Sequence, residues 1–258
     1  MRQAAREWWK AGRGYFADRE RFFSEQGRPE REKASVQEFL KYLGVQFRDD
    51  ELILPPQDDD VDVRFRGARI QNVERMEPGR RRHDEVRRMA ERVRTAHDVS
   101  ALEIPRRDSV PMGTAELVRE VVRALERKSK KTTNRGSLDA LVYMNLSGRH
   151  LYPAPDVVED DTTGVAQLGW RSVSVLWPPY AVVLSAQQAA PSFIRAKART
   201  VIRYRGVPWE RRVVPPQSSG FVGVVNAIVE RATVVAYVAL GGLVLGARAV
   251  REVSGTAR

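Results

Sequence analysis

The chain has 258 residues, of which 42% are hydrophobic and 30% are charged, a composition typical of a folded protein with a strongly ionic surface. Its net charge of +11 favours an anionic partner, either nucleic acid or a membrane surface. The sequence contains 0 cysteines, which excludes disulfides, thiolate metal sites and a cysteine nucleophile, and agrees with a cytoplasmic location.

Residues 1–28 predict a helical segment ahead of the main domain, which we place at 29–212. The start, MRQAAREWWKAGRGYF, is positively charged but lacks the continuous apolar stretch of a secretory signal. Its aromatic residues have the spacing of helix faces that pack on a protein body, a role that we favour over base stacking. These residues are Trp8, Trp9, Phe16, Phe22 and Phe23.

The main domain opens with a predicted helix and a predicted strand. Apolar residues at helical spacing indicate a helix from about Pro29 to Leu43, with Gly44 able to end it. The apolar run from Leu52 to Leu54 predicts a short strand, and the prolines and acidic residues that follow predict a loop.

Two further strands, VDVRFR and ARIQNVER, are predicted around a turn at Gly67. In the first strand the odd-numbered positions 61–65 are apolar, so Asp62 is expected on the face opposite the core. In the second strand the alternation places Gln71 and Glu74 on opposite faces. Only one of these two residues is therefore expected beside Asp62.

The rest of the domain alternates between predicted helices and strands. RRRHDEVRRMAERVRTA and residues 114–131 each carry an apolar stripe at helical spacing. LDALVYMNL predicts a buried central strand, and RSVSVLW and AVVLS predict two more strands on either side of two prolines. Strands interleaved with helices predict an α/β fold, with a mixed sheet flanked by helices.

Three consecutive basic residues, Arg80, Arg81 and Arg82, lie near the start of a predicted helix. Positive charge at this end of a helix opposes the helix dipole, so the cluster invites an external anion such as a phosphate group. Alternatively, the arginines pair with acidic residues nearby in the sequence, at positions 58–60, 84 and 85.

Four segments carry a family resemblance: EREKASVQEFLKYLGVQF, DVRFRGARIQNVERMEPGRRRHDE, the lysine-rich helix end before LDALVYMNL, and GWRSVSVLWPPYAVVLSAQQAAPSFIR. In this order, over about residues 20–205, they resemble an uncharacterised bacterial family named as endonucleases, domain of unknown function 1780. That family is placed with the PD-(D/E)XK nuclease-like fold. The resemblance implies a restriction-endonuclease-like mixed sheet and metal-dependent hydrolysis of phosphodiesters, with DNA favoured over RNA as the substrate.

The resemblance also implies catalytic and metal-binding residues. Asp62 matches the aspartate of the nuclease motif, Gln71 falls where the second acidic ligand is expected, and Val73 falls where the lysine is expected. Carboxylate and amide oxygens suit Mg²⁺ or Mn²⁺, although a neutral amide binds such a cation more weakly than a carboxylate does. Alternatively, Asp62 is only an exposed strand residue.

Other residues are candidates for the groups that the motif lacks. Glu74 joins the metal ligands if a bulge re-aims it, and Glu32 lies where some of these nucleases keep an extra acid. Lys128 or Lys131 is a candidate for the missing cation, although Glu32 and Lys131 also suit a solvated helix face. Lys128 and Lys130, together with the three arginines, are predicted to contact nucleic acid.

Residues 213–258 predict a linker and a hydrophobic helix. The uncharged run 232–247, ATVVAYVALGGLVLGA, would form a helix about 24 Å long, shorter than a hydrocarbon core of roughly 30 Å. It is expected either to lie on a membrane surface or to dock on the body or on a second copy in a homodimer. Besides a nuclease, the sequence thus leaves open a catalytically inactive nucleic-acid-binding protein and a membrane-tethered interaction protein.

Overall fold

The computed structural model describes residues 14, 17–56, 59–95, 109–146 and 148–203, all within one compact unit, Gly12–Pro208. The helices are α1 (Arg28–Tyr42), α2 (Arg82–Thr95), α3 (Thr114–Ser129), α4 (Thr163–Gln167) and α5 (Ser192–Arg195). The strands are β1 (Val63–Phe65), β2 (Ala68–Met76), β3 (Val110–Met112), β4 (Asp139–Asn145), β5 (Arg149–Leu151), β6 (Ser172–Trp177), β7 (Tyr180–Ala186) and β8 (Val201–Arg203). Residues 17–23 form a further helical stretch before α1.

A mixed sheet runs through this unit in the order β1-β2-β4-β6-β7-β8. The strands β2, β4 and β6 are parallel, whereas β1, β7 and β8 join them in antiparallel pairs. Every residue of β6 and nearly every residue of β4 is buried, as expected for parallel strands covered on both faces. The short strands β3 and β5 form a separate parallel pair. The predicted α/β architecture, a mixed sheet flanked by helices, is confirmed.

Alternation along β2 directs its side chains to the two helical layers. Val73 packs against the core that contains Val121 and Leu125 of α3, and Arg75 pairs with Glu120 of the same helix. On the opposite face, the side chain of Asn72 donates a hydrogen bond to a backbone carbonyl of α1. The two helices α1 and α3 therefore cover opposite faces of β2, and this arrangement sets the geometry of the candidate site.

The turn between β1 and β2 consists of Arg66 and Gly67, which have φ values of 41° and 80°. Positive φ at both central residues is the pattern of a type I′ hairpin turn, whose twist matches that of the flanking strands. Glycine adopts this conformation without steric cost, whereas arginine does not. The side chain of Arg66 pairs with Glu51 and stacks over Phe65, and these contacts stabilise it in the strained conformation.

The long elements agree with the sequence-based predictions, and one short element does not. The predicted helix of the main domain, the hairpin strands, the two later helices and the three later strands are confirmed. The predicted strand at Leu52–Leu54 is wrong, because Ile53 forms only an isolated bridge with Arg64 after a 3-10 helix at Asp49–Glu51. The prolines that follow lack backbone N–H groups and cannot extend the pairing.

The two ends of the chain contain predictions that the described residues test only in part. Phe23 is buried and makes an edge-to-face contact with Phe22, as expected for aromatic residues that pack on the body. Trp8, Trp9 and Phe16 lie outside the described residues, as does the predicted hydrophobic helix at 232–247. Among the described residues, no helix is both long enough and apolar enough to span a membrane.

Candidate functional site

Asp62 lies immediately before β1, at an edge of the sheet. Beyond Ile70 the strand β2 has no pairing partner on the β1 side, so the backbone N–H of Asn72 would be left without an acceptor. A carboxylate oxygen of Asp62 accepts this hydrogen bond at 2.7 Å. The side chain of the preceding residue, Val61, is buried in the core with α3 and thereby anchors the segment. Asp62 is thus held by the backbone of β2.

The first two turns of α1 bring Arg28 and Glu32 together, because residues four apart lie on the same face of a helix. A Cβ atom on Gly27, which precedes the helix, would come within 2.4 Å of the carbonyl oxygen of Phe22, so glycine is required for this close approach. Arg28 Nε donates to Glu32 Oε1 at 2.7 Å. A second guanidinium nitrogen of Arg28 lies 3.8 Å from Asp62 Oδ1. One arginine therefore contacts both carboxylates.

Burial makes ionisation of both acidic residues unfavourable. The side chain of Asp62 is 11% exposed and that of Glu32 is 16% exposed. Burial raises the pKa of Asp62, against the opposing effects of the Asn72 N–H group and the charges of Lys128 and Arg28. Burial also raises the pKa of Glu32, and the negative charge of Asp62 raises it further. The two carboxylates are thus close enough to interact.

Asp62 and Glu32 open into a cleft of about 350 Å³. Its other walls are contributed by the segment before α1 and by the loop after the 3-10 helix, through Glu25, Gln26, Arg28, Pro29, Leu54, Pro55, Pro56, Asp59 and Val61. Leu54 and the two prolines form an apolar wall beside the charged groups. The cleft thus combines an acidic centre with an apolar surface on which a base or a sugar can rest.

Gln71, predicted as a metal ligand, uses both ends of its side-chain amide for structural hydrogen bonds. Its nitrogen donates to the backbone oxygen of Asp60 at 2.8 Å, and its oxygen accepts from the Thr132 hydroxyl at 3.3 Å. The residue is buried and is not among those that line the cleft. Val73, at the position of the motif's lysine, packs against the core.

Glu74, the other predicted ligand on β2, lies three residues further along the strand, about 10 Å from Gln71 at the usual rise per residue. Its carboxylate accepts a hydrogen bond from Asn145 at 2.7 Å and pairs with Arg82 at 3.4 Å. The pairing of β2 with β4 runs without a register shift from Ile70 to Met76, so no bulge re-aims Glu74 toward Asp62. The structure therefore does not bring Glu74 to the cleft.

The three candidate lysines lie at the end of α3. Lys128 is partly buried, and its positive charge opposes the rise that burial causes in the pKa of Glu32 and of Asp62. Lys130 and Lys131 are exposed, and the backbone N–H of Lys131 donates to the carbonyl of Lys128. Of the lysines suggested by the sequence, Lys128 is the one whose charge acts on both carboxylates.

The predicted arginine cluster has divided roles. Arg80 donates hydrogen bonds to Glu77, Glu85 and Asn145. It therefore pairs with neighbouring acidic residues, which is the alternative to binding an external anion. The guanidinium of Arg82 stacks 4.0 Å above the ring of Phe23 and also pairs with Glu74. Arg81 is exposed at the start of α2.

Two residues in contact with the carboxylate pair were not predicted from the sequence: Arg28, which lines the cleft, and Asn72, which bonds to Asp62 and to the backbone of Glu32. Arg28 had a signal, because it lies four residues before Glu32 and this spacing favours an ion pair on a helix. No sequence pattern singles out Asn72, because the surroundings of its side-chain oxygen are set by the tertiary structure. This Oδ1 atom is buried without a hydrogen-bond partner, while the amide nitrogen donates to the backbone oxygen of Glu32 at 3.3 Å.

Asp62, Glu32 and Asn72 offer oxygen atoms, the type of ligand that hard cations take. No group of three or more histidine, cysteine, aspartate or glutamate side chains suited to a metal ion occurs in the part of the chain that the structure describes. Asp62 and Glu32 supply two carboxylates, and the unpartnered oxygen of Asn72 is a neutral donor beside them. Oxygen donors of these kinds suit Mg²⁺ or Mn²⁺, and a cation would offset the unfavourable ionisation of the buried pair.

Comparison with known proteins identifies the family to which this chain belongs. The chain belongs to the family described as "Putative endonuclease, protein of unknown function (DUF1780)", whose profile matches residues 6–207. The solved structure of a protein of unknown function from Pseudomonas aeruginosa strain PAO1, described as a member of the monooxygenase superfamily, is similar with a TM-score of 0.53 and 22% identity. The match covers 77% of this chain and 94% of that chain. At this identity the likeness concerns the fold alone. No curated protein matches the chain.

Proposed function

We propose that this protein is a metal-dependent nuclease that hydrolyses phosphodiester bonds in nucleic acid at the cleft between α1 and β1. The observation that carries the proposal is the buried pair Asp62 and Glu32, which lines the cleft and is bridged by Arg28. Family membership supports the endonuclease class, and the net charge of +11 supports a polyanionic substrate. We propose DNA rather than RNA as the substrate and Mg²⁺ or Mn²⁺ as the cation.

Four residues at or around the carboxylate pair have roles in this proposal. Asp62, Glu32 and the side-chain oxygen of Asn72 would hold the cation, which supplies Lewis acidity and lowers the pKa of a bound water. Lys128 stabilises negative charge on the phosphate, in place of the lysine that Val73 replaces in the motif. The hydrogen bond from the Asn72 backbone keeps the Asp62 carboxylate oriented.

A catalytically silent nucleic-acid-binding protein is the second candidate, and one specific observation favours it. Both ends of the Gln71 amide are already bonded and Val73 packs in the core, so two of the three motif positions contribute nothing to the cleft. This second function predicts salt-sensitive binding of nucleic acid without hydrolysis.

The test uses the full chain with supercoiled plasmid DNA and structured RNA, in Mg²⁺ or Mn²⁺. We expect D62N and E32Q each to abolish cleavage, whereas E30Q, which removes an exposed carboxylate from the same turn of α1, should cleave like the wild type. Calorimetry with Mn²⁺ should show binding that is lost in D62N. Binding of DNA without cleavage under all conditions would support the silent protein instead.

A further inference from the structure

Arg28 forms ion pairs with both Asp62 and Glu32, although its position is unfavourable for its helix. It is the first residue of α1, where positive charge opposes the helix dipole. Its contacts with Glu32 at 2.7 Å and with Asp62 at 3.8 Å offset this penalty. The hydrogen bond to Glu32, together with the charges of Glu32 and Asp62, accordingly raises the pKa of Arg28. The ion pairs with the two carboxylates, and not the helix dipole, therefore stabilise the arginine at this position.

A divalent cation and this guanidinium compete for the same oxygens. Glu32 Oε1, which accepts from Arg28, belongs to the carboxylate that would bind the cation in the proposed function. Two positive groups at the same pair would repel each other, so occupancy by one disfavours the other. The side chain of Arg28 is 52% exposed and lines the cleft, so it can leave the carboxylates without disturbing the core.

We propose that Arg28 is the resident counter-ion of the Asp62–Glu32 pair, that a divalent cation displaces it, and that the displaced guanidinium binds a phosphate of the nucleic acid. The inference rests on the cation of the proposed function. A guanidinium suits this second role because its planar fork matches two phosphate oxygens. The exchange makes binding of the cation and binding of the substrate cooperative, since the cation frees a ligand for the phosphate.

The first measurement is Mn²⁺ affinity by calorimetry for the full-length wild type, R28Q, R28K and K33Q. Lys33 lies on the same helix but pairs with Asp49 at 2.9 Å, so K33Q removes an equal charge away from the pair. We expect R28Q to bind Mn²⁺ about three- to tenfold more tightly than the wild type, because a competing charge is removed. R28K should stay close to the wild type, and K33Q should change the affinity less than twofold. Equal affinities in R28Q and K33Q would overturn the proposal.

The second measurement is the salt dependence of binding to a short DNA duplex, with and without Ca²⁺, which takes oxygen ligands as Mg²⁺ does. Each phosphate contact contributes about one unit to the slope of log affinity against log salt. In the wild type Ca²⁺ should steepen this slope by about one, and in R28Q it should leave the slope unchanged. A steepening that is the same in both proteins would refute the displacement.

The combined outcomes separate this inference from the proposed function. Tighter Mn²⁺ binding by R28Q without cleavage of any nucleic acid would support the exchange and refute the nuclease. Cleavage that needs Asp62, together with an unchanged Mn²⁺ affinity in R28Q, would support the nuclease and refute the exchange. The absence of Mn²⁺ binding in every variant would overturn both.

Discussion

The acidic residues beside the two ends of strand β2 have pKa values shifted in opposite directions. At the cleft, burial raises the pKa of Asp62 and of Glu32. At the far end burial also disfavours the charge of Glu77, but hydrogen bonds from backbone N–H groups and from Arg80 outweigh it and lower the pKa. At the far end, ionisation of the carboxylate is favourable and stabilises the fold. At the cleft, ionisation is unfavourable, and binding of a cation or a proton would remove this cost. Acidic residues near the two ends of one strand thus acquire different roles from their surroundings.

The largest effect that we expect distinguishes the two ends by activity. D62N should reduce cleavage by at least about 100-fold, because it removes a charged ligand from the cation and transition-state charge stabilisation with it. Rates of plasmid nicking in Mg²⁺ would measure the loss, and circular dichroism would verify that the variant is folded. Unchanged cleavage would move the active site away from this cleft.

The paired end should respond to substitution by losing stability. R80A leaves Glu77, Glu85 and the Asn145 carbonyl without their shared partner, and the Arg80 side chain is only 13% exposed. We expect the free energy of unfolding to fall by roughly 2–4 kcal/mol, as for the loss of one partner from a largely buried charge network. Urea denaturation would measure it. R80K, which keeps the charge without the planar fork, should lose less.

At the cleft, by contrast, the substitution D62N should raise the free energy of unfolding, by an amount that depends on pH. A carboxylate whose pKa is raised on folding destabilises the folded state as the pH rises from its ordinary pKa through the raised value. D62N lacks this loss, and its amide oxygen can still accept from the Asn72 N–H group. At pH 7 and without added metal, D62N should therefore be more stable than the wild type by about 1 kcal/mol. The difference should vanish below the ordinary pKa of aspartate, and thermal unfolding at several pH values would show it.

The smallest expected effect belongs to Glu74. This residue is exposed, and its contacts with Asn145 and Arg82 do not reach the cleft. We expect E74Q to change cleavage less than twofold and the free energy of unfolding by less than about 0.5 kcal/mol. If E74Q lost most of its cleavage activity while D62N stayed active, the chemistry would lie at the carboxyl end of β2 and not at the cleft.

Most of the fold could be predicted because its long elements carry strong periodic signals. The apolar stripe of α3 has helical periodicity, and the short apolar run of β4 is bounded by residues that end a strand. The short segment at Leu52–Leu54 was misassigned because three apolar residues resemble a strand, although strand formation depends on an available partner. The turn at Gly67 was predictable, since few residues accept the positive φ of a tight hairpin.

The candidate site was predictable only in part. Alternation alone placed Asp62 away from the core, and the structure agrees, with Val61, Val63 and Phe65 buried. Periodicity could not show that Gln71 bonds within the fold, because its partners come from a loop and from the residues after α3. It also could not choose between Lys128 and Lys131, whose distances to the cleft depend on where α3 ends.

By itself the sequence determined the basic charge, the order of helices and strands, the hairpin turn and the side of its strand on which Asp62 lies. These properties follow from composition and from local periodicity, which act over a few residues. The tertiary structure alone decided that Glu32 and Arg28 meet Asp62, that Asn72 keeps a free oxygen beside them, and that Glu74 belongs to a separate network. Such meetings depend on the packing of α1 against β2, and no local pattern encodes the distance between two elements that far apart in the chain.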